Sequence, residues 1–535
     1  MTILPIRKTE LILVTVIIII SISISIIPTV YNIFRTPKNT VYSLTYNFIP
    51  DYYQFISFMK DGQNGQFALT SRFTPEVFPR KFGHIFFPVL GFLGSRMGLS
   101  LFTAFTLARV FFGIIRLAAT YCLISSLTKN MKRRITMFLM IIILPSFLDV
   151  RFIQNHLDLK FFLPGITNFD VFRRITFLPH HLFAGFLTIF AFLIFTSALK
   201  NNKKVYSLFA GILLMVASAV NPAIILNMLM ILTFAFILLW IVIFRKKFLY
   251  LLPHFLITVI PLGIMILYFK YYLFTVFPWN NFYKGEITAP RIWSLTGYLG
   301  ALGLALPLSA FGLLGKKPVN KILFIMIISW AFAPIAGFIF IMKLSFVSPF
   351  RIFQAQQFIP LGILASYGIF YIKEKLKSKS VVFVLMLLIT TFSLPYYYVS
   401  VKEQLTEVSA NSYNVFIPKD TIQTFRYLDK NTPKESVVMT GYFTGQMLPA
   451  FTHNRVFVGH GDGTYNYEKK LDQLRIFYSG KQEIPQVEDL LKQSNISYVL
   501  FTPDTPNPTG HIVSTLPSVK LIYEKGNNYL FQVIK

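Results

Sequence analysis

The chain has 535 residues, of which 54% are hydrophobic and only 14% are charged, and its formal net charge is +29. Soluble domains carry roughly 25% charged residues, so the composition excludes an ordinary soluble protein and indicates a polytopic membrane protein. It also argues against nucleic acid as a partner: residues 399–535 are nearly neutral, and the basic excess lies in the apolar remainder, where short cytoplasmic loops concentrate Lys and Arg.

The first apolar stretch, residues 11–27, follows Arg7 and Lys8 and has the character of a signal sequence. No small-residue cleavage site follows it, and it is long enough to span a bilayer. We interpret it as an uncleaved first transmembrane helix with a cytoplasmic N-terminus.

Apolar runs along the chain predict eleven transmembrane helices. They lie near residues 11–33, 100–127, 135–148, 181–199, 205–220, 223–244, 248–269, 293–314, 322–341, 352–372 and 380–398. Residues 84–99 are ambiguous, but placing them in the outer interface puts all the basic loops on the cytoplasmic side. This topology predicts external loops at 34–99, 149–180 and 270–292, and an external C-terminal domain.

Acidic residues are rare between residues 11 and 398, where the sequence has only eight. The predicted topology places the first seven outside and leaves no carboxylate in the interior of a span. Ion-coupled transporters usually need such intramembrane carboxylates, so a transport function is disfavoured.

The first external loop contains the sequence PDYYQFISFMKDGQNG. Tyr52, Phe55 and Ile56 recur at helical spacing opposite polar residues, which predicts an amphipathic helix on the outer membrane surface. Asp51 would stand at its N-cap with Gln54 three residues on, so its role is either a capping role or a chemical one.

The second external loop begins with Asp149 and ends in a cationic group that includes Arg173, Arg174, His180 and His181. Such residues serve either as headgroup anchors or as ligands for an anion. The pair His156 and Asp158 is only a weak metal signal, and Cys122, the single cysteine, excludes cysteine-based metal sites within one chain.

Two arginines in the second span, Arg109 and Arg116, lie seven residues apart and therefore on one helix face. Burying a guanidinium in a bilayer is costly, so a polar cavity or an anionic partner is expected, and a lipid phosphate would suit Arg109. Arg351 starts the tenth span from the outside, and its planar fork suits either a phosphate or interfacial anchoring.

Residues 399–535 have the composition of a soluble domain. Alternating helical and strand patterns, followed by a hairpin at KLIYEKGNNYLFQVI, predict a small α/β domain. His453, His460 and Asp462 cluster in FTHNRVFVGHGDGT, where each is a candidate functional residue or an ordinary hydrogen-bonding one.

The chain resembles the GT-C superfamily of membrane glycosyltransferases, which includes protein O-mannosyltransferases and lipid A aminoarabinose transferases. The resemblance covers nearly the whole chain and rests on short motifs: DYYQFISFMKDGQNG, FLPHHLFAG, RIFQAQQFIPLGILAS and LPAFTHNRVFVGH. It is greatest with bacterial GT-C-like membrane proteins.

The resemblance implies a glycosyltransferase that takes its sugar from a polyprenyl-phosphate carrier and passes it to a lipid, glycan or protein acceptor. Asp51 matches the first-loop carboxylate, which would act as general base, and Asp149 is a candidate for the second acidic residue. Arg109, Arg174, Arg351 and His180 are candidates for holding the carrier phosphate. Many members have paired acidic residues where this chain has Asp51-Tyr52, so a divalent metal is open but unsupported, and a non-catalytic protein of envelope assembly or lipid handling is the alternative.

Overall fold

The computed structural model describes residues 6–534, except 46, 154–155, 165, 167, 246, 289–292, 316–317, 344–347, 379, 481, 506–512 and 515. The chain forms two compact units. The first consists of Met1–Ile27, Ala108–Phe269 and Glu286–Glu403, and the second of Pro28–Leu107, Lys270–Gly285 and Gln404–Lys535. The predicted domain boundary at residue 398 falls inside a helix, and the second unit also includes the first external loop.

Helices dominate the described residues. In chain order they are α1 (Lys8–Ser25), α2 (Ile27–Phe34), α3 (Ile49–Gln63), α4 (Phe86–Arg96), α5 (Leu101–Ser125), α6 (Met131–Ile143), α7 (Arg173–Thr176), α8 (Pro179–Asn201), α9 (Lys204–Val220), α10 (Ala223–Val242), α11 (Phe248–Tyr271), α12 (Trp279–Thr288), α13 (Leu295–Leu302), α14 (Ala305–Leu313), α15 (Lys321–Ile341), α16 (Phe358–Leu376), α17 (Val381–Ala410), α18 (Ser412–Val415), α19 (Lys419–Asn431), α20 (Tyr442–Phe451), α21 (Tyr467–Tyr478) and α22 (Ile484–Gln493). The strands are β1 (Thr40–Tyr42), β2 (Leu148–Ile153), β3 (His156–Phe161), β4 (Phe416–Pro418), β5 (Val437–Thr440), β6 (Arg455–Val456), β7 (Ile496–Phe501), β8 (Val519–Lys525) and β9 (Asn528–Val533).

Each of the eleven predicted apolar runs coincides with a helix or a pair of helices. Among the described residues, seven helices are long and apolar enough to cross a membrane, namely α1, α5, α8, α10, α11, α15 and α17. The pair α13 and α14, bent by 76°, would make an eighth. Helices α6, α9 and α16 do not meet the same criteria, so the chain is a multi-pass membrane protein but the number eleven is not confirmed. Helix α4 has 11 residues, too few to cross.

In the first unit, the start of α1 contacts the start of α6 through buried charges. Glu10 is 2% exposed and forms an ion pair with Arg134 at 2.9 Å. The hydroxyl of Tyr121 also donates a hydrogen bond to Glu10. Because a buried charge is costly unless paired, these contacts fix the two helix starts on the same side of the unit. The predicted topology requires this arrangement.

The loop between α6 and α7 in the first unit, predicted to be the second external loop, contains an antiparallel hairpin of β2 and β3, in which Asp149 lies opposite Lys160. Its outer part exposes apolar side chains, among them Phe152, which is 79% exposed.

The predicted amphipathic surface helix is wrong. Helix α3 of the second unit is buried on nearly all sides, including the positions expected to face water: Gln54 is 4% exposed and Ser57 is 1% exposed. Helices α3 and α4 approach at backbone distance, since a Cβ on Gly62 would lie 1.9 Å from the carbonyl oxygen of Pro88. The predicted helix is confirmed, but its polar residues pack inside the protein instead of facing solvent.

The C-terminal part of the second unit has the predicted α/β character. Its five-stranded sheet has the order β6-β5-β7-β9-β8, in which β5, β6 and β7 run parallel and β8 and β9 form the closing hairpin. Helix α20 packs against α3. It was not predicted from the sequence. Strand β1 of the first loop pairs with β4. The first loop and the C-terminal part therefore share one folded unit.

Candidate functional site

Asp51 lies in the first turn of α3 and is not its N-cap, so the predicted capping arrangement with Gln54 is wrong. The helix begins earlier, at Ile49-Pro50, and its N-cap is Phe48, which makes no side-chain capping bond. Proline favours the first helical turn because its fixed φ suits the helix. Asp51 is thereby left with a side chain that is 52% exposed, at a helix end whose dipole favours a negative charge.

The carboxylate of Asp51 contacts the imidazole of His460, with 2.9 Å between Oδ1 and Nε2. The His460 side chain is only 7% exposed. Its other nitrogen, Nδ1, accepts the main-chain N–H of Gly463 at 3.2 Å. This contact suits the tautomer that carries its proton on Nε2 and donates it to Asp51.

The turn that carries His460 is shaped by its glycines. A Cβ on Gly459 would lie 2.5 Å from the ring of Phe73, and one on Gly463 would contact Ser71 and Gln54 at 3.2–3.3 Å. Thr464 closes the turn, since its hydroxyl hydrogen-bonds the carbonyl of His460 at 2.8 Å. The segment GHGDGT therefore fits closely against the first loop and holds the imidazole in place.

Tyr52, the residue after Asp51, is occupied elsewhere in the fold. It is 4% exposed, and its hydroxyl donates to the carbonyl of Ser43 at 2.7 Å. The side chain paired with Asp51 is thus an imidazole from a distant part of the sequence. Only the glycine-rich segment around His460 signalled this partner in advance.

The other two candidates of the same segment contact different groups. His453 bonds Asp429, with 2.7 Å between Nδ1 and Oδ1, and Lys60 forms an ion pair with the same carboxylate at 3.0 Å. Burial alone would raise the pKa of Asp429, but the hydrogen bonds from His453 and Lys60 outweigh it and hold the pKa below its usual range. The main-chain carbonyl of Asp462 accepts from Asn281 at 3.2 Å.

In the first unit, the two arginines of α5 are buried, Arg109 at 3% and Arg116 at 2% exposure. Arg116 donates to the main-chain carbonyl of Arg174 and lies over the ring of Phe358, 5.4 Å from its centroid. A polar cavity or an anionic partner was expected; the structure gives Arg116 a main-chain carbonyl and an aromatic face, both of which suit a guanidinium.

Arg174 lies in α7 and binds the end of α6. Its Nη2 donates to the carbonyls of Ile142 at 2.7 Å and Leu144 at 3.0 Å, and its guanidinium lies 4.9 Å from the centroid of Phe358. These carbonyls belong to the last turn of a helix, where acceptors lack intrahelical donors. A cavity of about 20 Å³ beside Arg174 has room for about one water molecule.

Arg351 lies in a 3₁₀ turn, Pro349–Gln354, and its side chain is 36% exposed. Its guanidinium forms an ion pair with Glu286 of α12, which is 27% exposed. Its main-chain carbonyl accepts the amide of Asn227 at 2.9 Å, which attaches the turn to α10.

Asp149 and His180 have different surroundings. Asp149 pairs along its own strand with Arg151, 2.6 Å from Nη2, and its side chain is 24% exposed. His180, at the start of α8, is 5% exposed and packs edge-on against His181 with ring centroids 4.4 Å apart. Asp158 pairs with Lys160 at 2.7 Å.

The structure thus brings Asp51 together with His460 in the second unit. The remaining predicted site residues, Asp149, Arg109, Arg174, His180 and Arg351, belong to the first unit, where the contacts above bring Arg174 together with Arg116. Across the residues that the structure describes, no three or more His, Cys, Asp or Glu side chains are grouped to hold a metal ion.

Comparison with known proteins finds matches among solved structures but none by sequence. No family model matches the sequence, and no curated protein matches it. Among solved structures, the oligosaccharyltransferase of Archaeoglobus fulgidus in the apo form matches with a TM-score of 0.52 and 14% identity, over 90% of this chain and 69% of that one.

Two bacterial structures match as well. ArnT from Cupriavidus metallidurans, bound to undecaprenyl phosphate, matches with a TM-score of 0.52 and 11% identity over 98% of both chains. The mycobacterial arabinofuranosyltransferase AftD matches with a TM-score of 0.53 and 11% identity, over 97% of this chain and 40% of that one. These neighbours are GT-C glycosyltransferases, and the chain has the GT-C fold. The predicted GT-C architecture is confirmed at that level.

Proposed function

We propose that the protein is a membrane glycosyltransferase that moves a sugar from a polyprenyl-phosphate carrier to an acceptor on the outer face of the cytoplasmic membrane. The observation that carries the proposal is the GT-C fold, which this chain has in common over 98% of its length with ArnT in its undecaprenyl phosphate complex. A chain that keeps this fold from end to end retains the framework on which such transfer is performed.

Asp51 is the proposed general base. It is a half-exposed carboxylate in the first loop, and the N–H of His460 leaves its second oxygen available to an acceptor hydroxyl. A carboxylate that takes the proton of an attacking hydroxyl typically contributes about 10²–10⁴-fold to the rate. Asp149 is the proposed second acidic residue.

Arg109, Arg174, Arg351 and His180 are the proposed ligands of the carrier phosphate. Charge-assisted hydrogen bonds from guanidinium groups are strong and geometrically matched to phosphate oxygens. The guanidinium of Arg174 already donates to two main-chain carbonyls and that of Arg351 is paired with Glu286, so a phosphate would compete with protein acceptors at both residues.

The second candidate function is a non-catalytic GT-C protein in envelope assembly or lipid handling. The observation in its favour is that Arg174 and Arg351 already contact protein acceptors, as purely structural arginines do.

Complementation of a deletion strain separates the two functions. Metabolic labelling of surface glycans should lose a labelled species in the deletion strain, wild type should restore it, and Asp51→Asn should not. Asparagine keeps an oxygen that accepts from His460, so the variant should fold normally while losing the base. Restoration of the species by Asp51→Asn would favour the non-catalytic function.

A further inference from the structure

We infer that His460 is a positioning residue for Asp51: it holds the carboxylate by donating the proton on Nε2, and it does not itself accept the proton of the acceptor. The inference rests on the proposed function of Asp51 as a base. It assigns a role in that reaction to a residue of the C-terminal part of the chain.

The first step of the argument is the orientation of the imidazole. The main-chain N–H of Gly463 can only donate, and it is shared between Nδ1 of His460 at 3.2 Å and the main-chain carbonyl oxygen of His460 at 3.1 Å. Nε2 of the Gln54 amide, a second donor, lies 3.4 Å from the same Nδ1. A protonated Nδ1 would place two donors against each other, so the geometry favours the neutral ring with its proton on Nε2. That proton is directed at Oδ1 of Asp51.

The second step is the rigidity of the support. His460 is buried, and its turn is fixed by Thr464, whose hydroxyl bonds the carbonyl of Phe73 at 2.8 Å as well as that of His460. Ser71 donates to the carbonyl of Gly463 at 2.5 Å. Catalytic groups perform best when their supports are locked by packing and hydrogen bonds. By contrast Asp51 is half exposed, so the imidazole is the contact that restricts its side chain.

The third step concerns proton transfer. With its Nδ1 lone pair engaged by Gly463 and its Nε2 proton engaged by Asp51, the neutral ring has no lone pair available to an acceptor hydroxyl. In the transfer step, the proton therefore moves from the acceptor oxygen to Asp51. The new bond joins that oxygen to the sugar, and the carrier phosphate departs with the electrons of the broken bond.

Substitutions of His460 separate positioning from proton acceptance. Glutamine supplies an N–H in place of Nε2 but cannot act as a base, whereas leucine supplies neither. We expect His460→Leu to lower kcat at least about tenfold with little change in the KM for the lipid-linked donor, and His460→Gln to keep most of the wild-type kcat. His453→Leu is the matched control, because that ring contacts Asp429 and not Asp51.

Each other outcome has a distinct meaning. Equal losses of about 10²-fold or more in both His460 variants would identify His460 as a base and overturn the inference. Wild-type kcat in His460→Leu, together with an inactive Asp51→Asn, would overturn the inference about His460 and leave the proposed role of Asp51 standing. Wild-type kcat in Asp51→Asn would overturn the proposed role of Asp51 as the base, on which the inference rests.

Nitrogen-15 spectroscopy of histidine-labelled protein tests the same point without an activity assay. The chain has eight histidines, and the His460→Gln spectrum identifies the signal that is lost. We expect that signal to report a protonated Nε2 and an unprotonated Nδ1. A proton on Nδ1 would overturn the inference.

Discussion

The guanidinium of Arg351 is bound to the carboxylate of Glu286, so the most exposed of the candidate phosphate-binding arginines already holds an anion. Both side chains remain partly exposed, at 36% and 27%. A phosphate and the Glu286 carboxylate would compete for the same donors, because both prefer a bidentate guanidinium. The role of Arg351 can therefore be tested by substituting either Arg351 or Glu286.

We expect Arg351→Met to raise the KM for the lipid-linked donor at least about tenfold, or about 1.4 kcal/mol of lost binding. Glu286→Gln should act in the opposite direction and lower that KM, because it removes the competing carboxylate while keeping the shape of the side chain. Donor titrations of the purified variants measure both effects. If both substitutions reduce thermal stability and neither changes the KM, the pair is structural.

Arg174 is expected to behave as a structural residue more than as a ligand. Arg174→Met removes the donor from the carbonyls of Ile142 and Leu144, which are then buried without it, at a cost of about 1.5–3 kcal/mol for a charged donor. The melting temperature in detergent should fall clearly. Arg151→Met is the control, since the Arg151 side chain is 62% exposed and its pair with Asp149 should contribute little to stability. An unchanged melting temperature with a raised donor KM would instead assign Arg174 to the phosphate.

The sequence predicted the elements better than it predicted their surroundings. Apolar runs and strand patterns located most helices and the β5, β6, β7, β8 and β9 strands, because those signals depend on local periodicity. Helix α3 was located as well, but its environment was wrong: Gln54 and Ser57 imply a solvent face, and only tertiary packing by α4 and α20 buries them.

The partners of the candidate residues were the least predictable feature. Asp51 and His460 are 409 positions apart, and no local pattern joins them. A polar cavity or an anionic partner was expected for Arg116, yet it binds a main-chain carbonyl, an acceptor that every residue carries and that no sequence pattern reveals. Side-chain chemistry can be listed from a sequence, but hydrogen bonds to the main chain depend on the fold.

The contacts of Asp429 predict a pH-dependent stability. Its pKa is lowered in the folded state by His453 and Lys60, so the ionised form contributes stability above the unfolded pKa, about 4, and this stability is lost as the pH falls further. Asp429→Asn should therefore destabilise the protein at pH 7 by about 1–2 kcal/mol, less than the roughly 1.5–3 kcal/mol of fully buried charged hydrogen bonds, because the Asp429 side chain is 23% exposed.

Melting curves of wild type and Asp429→Asn between pH 7 and pH 3 measure this effect, and the difference between them should shrink toward the acid end. Asp472→Asn is the control, because Asp472 and its partner Arg475 are 65% and 67% exposed. A difference that stays constant with pH would show that Asp429 contributes by packing and not by its charge.

The number of spans can be decided from two basic loops, one before α6 and one after α8. The side of the membrane on which each loop lies gives the answer. Helix α6 has 13 residues, about 20 Å at 1.5 Å per residue, which is less than the roughly 30 Å of a bilayer core. If the run 135–148 nevertheless crosses, then Lys132 before it and Lys203 after α8 lie on the same side of the membrane. If α6 does not cross, α8 carries the chain over alone and the two lysines lie on opposite sides. Both lysines are exposed, so cysteines at these positions will be reactive.

In a Cys122→Ser background, we expect Lys132→Cys and Lys203→Cys to react with a membrane-impermeant maleimide only after permeabilisation, because the excess of basic residues assigns both loops to the cytoplasm. Lys469→Cys, in the predicted external domain, should react in intact cells. Labelling of position 203 but not 132 in intact cells would remove α6 from the list of spans. Labelling of positions 132 and 203, with position 469 protected, would invert the orientation and with it the face of the membrane on which Asp51 works.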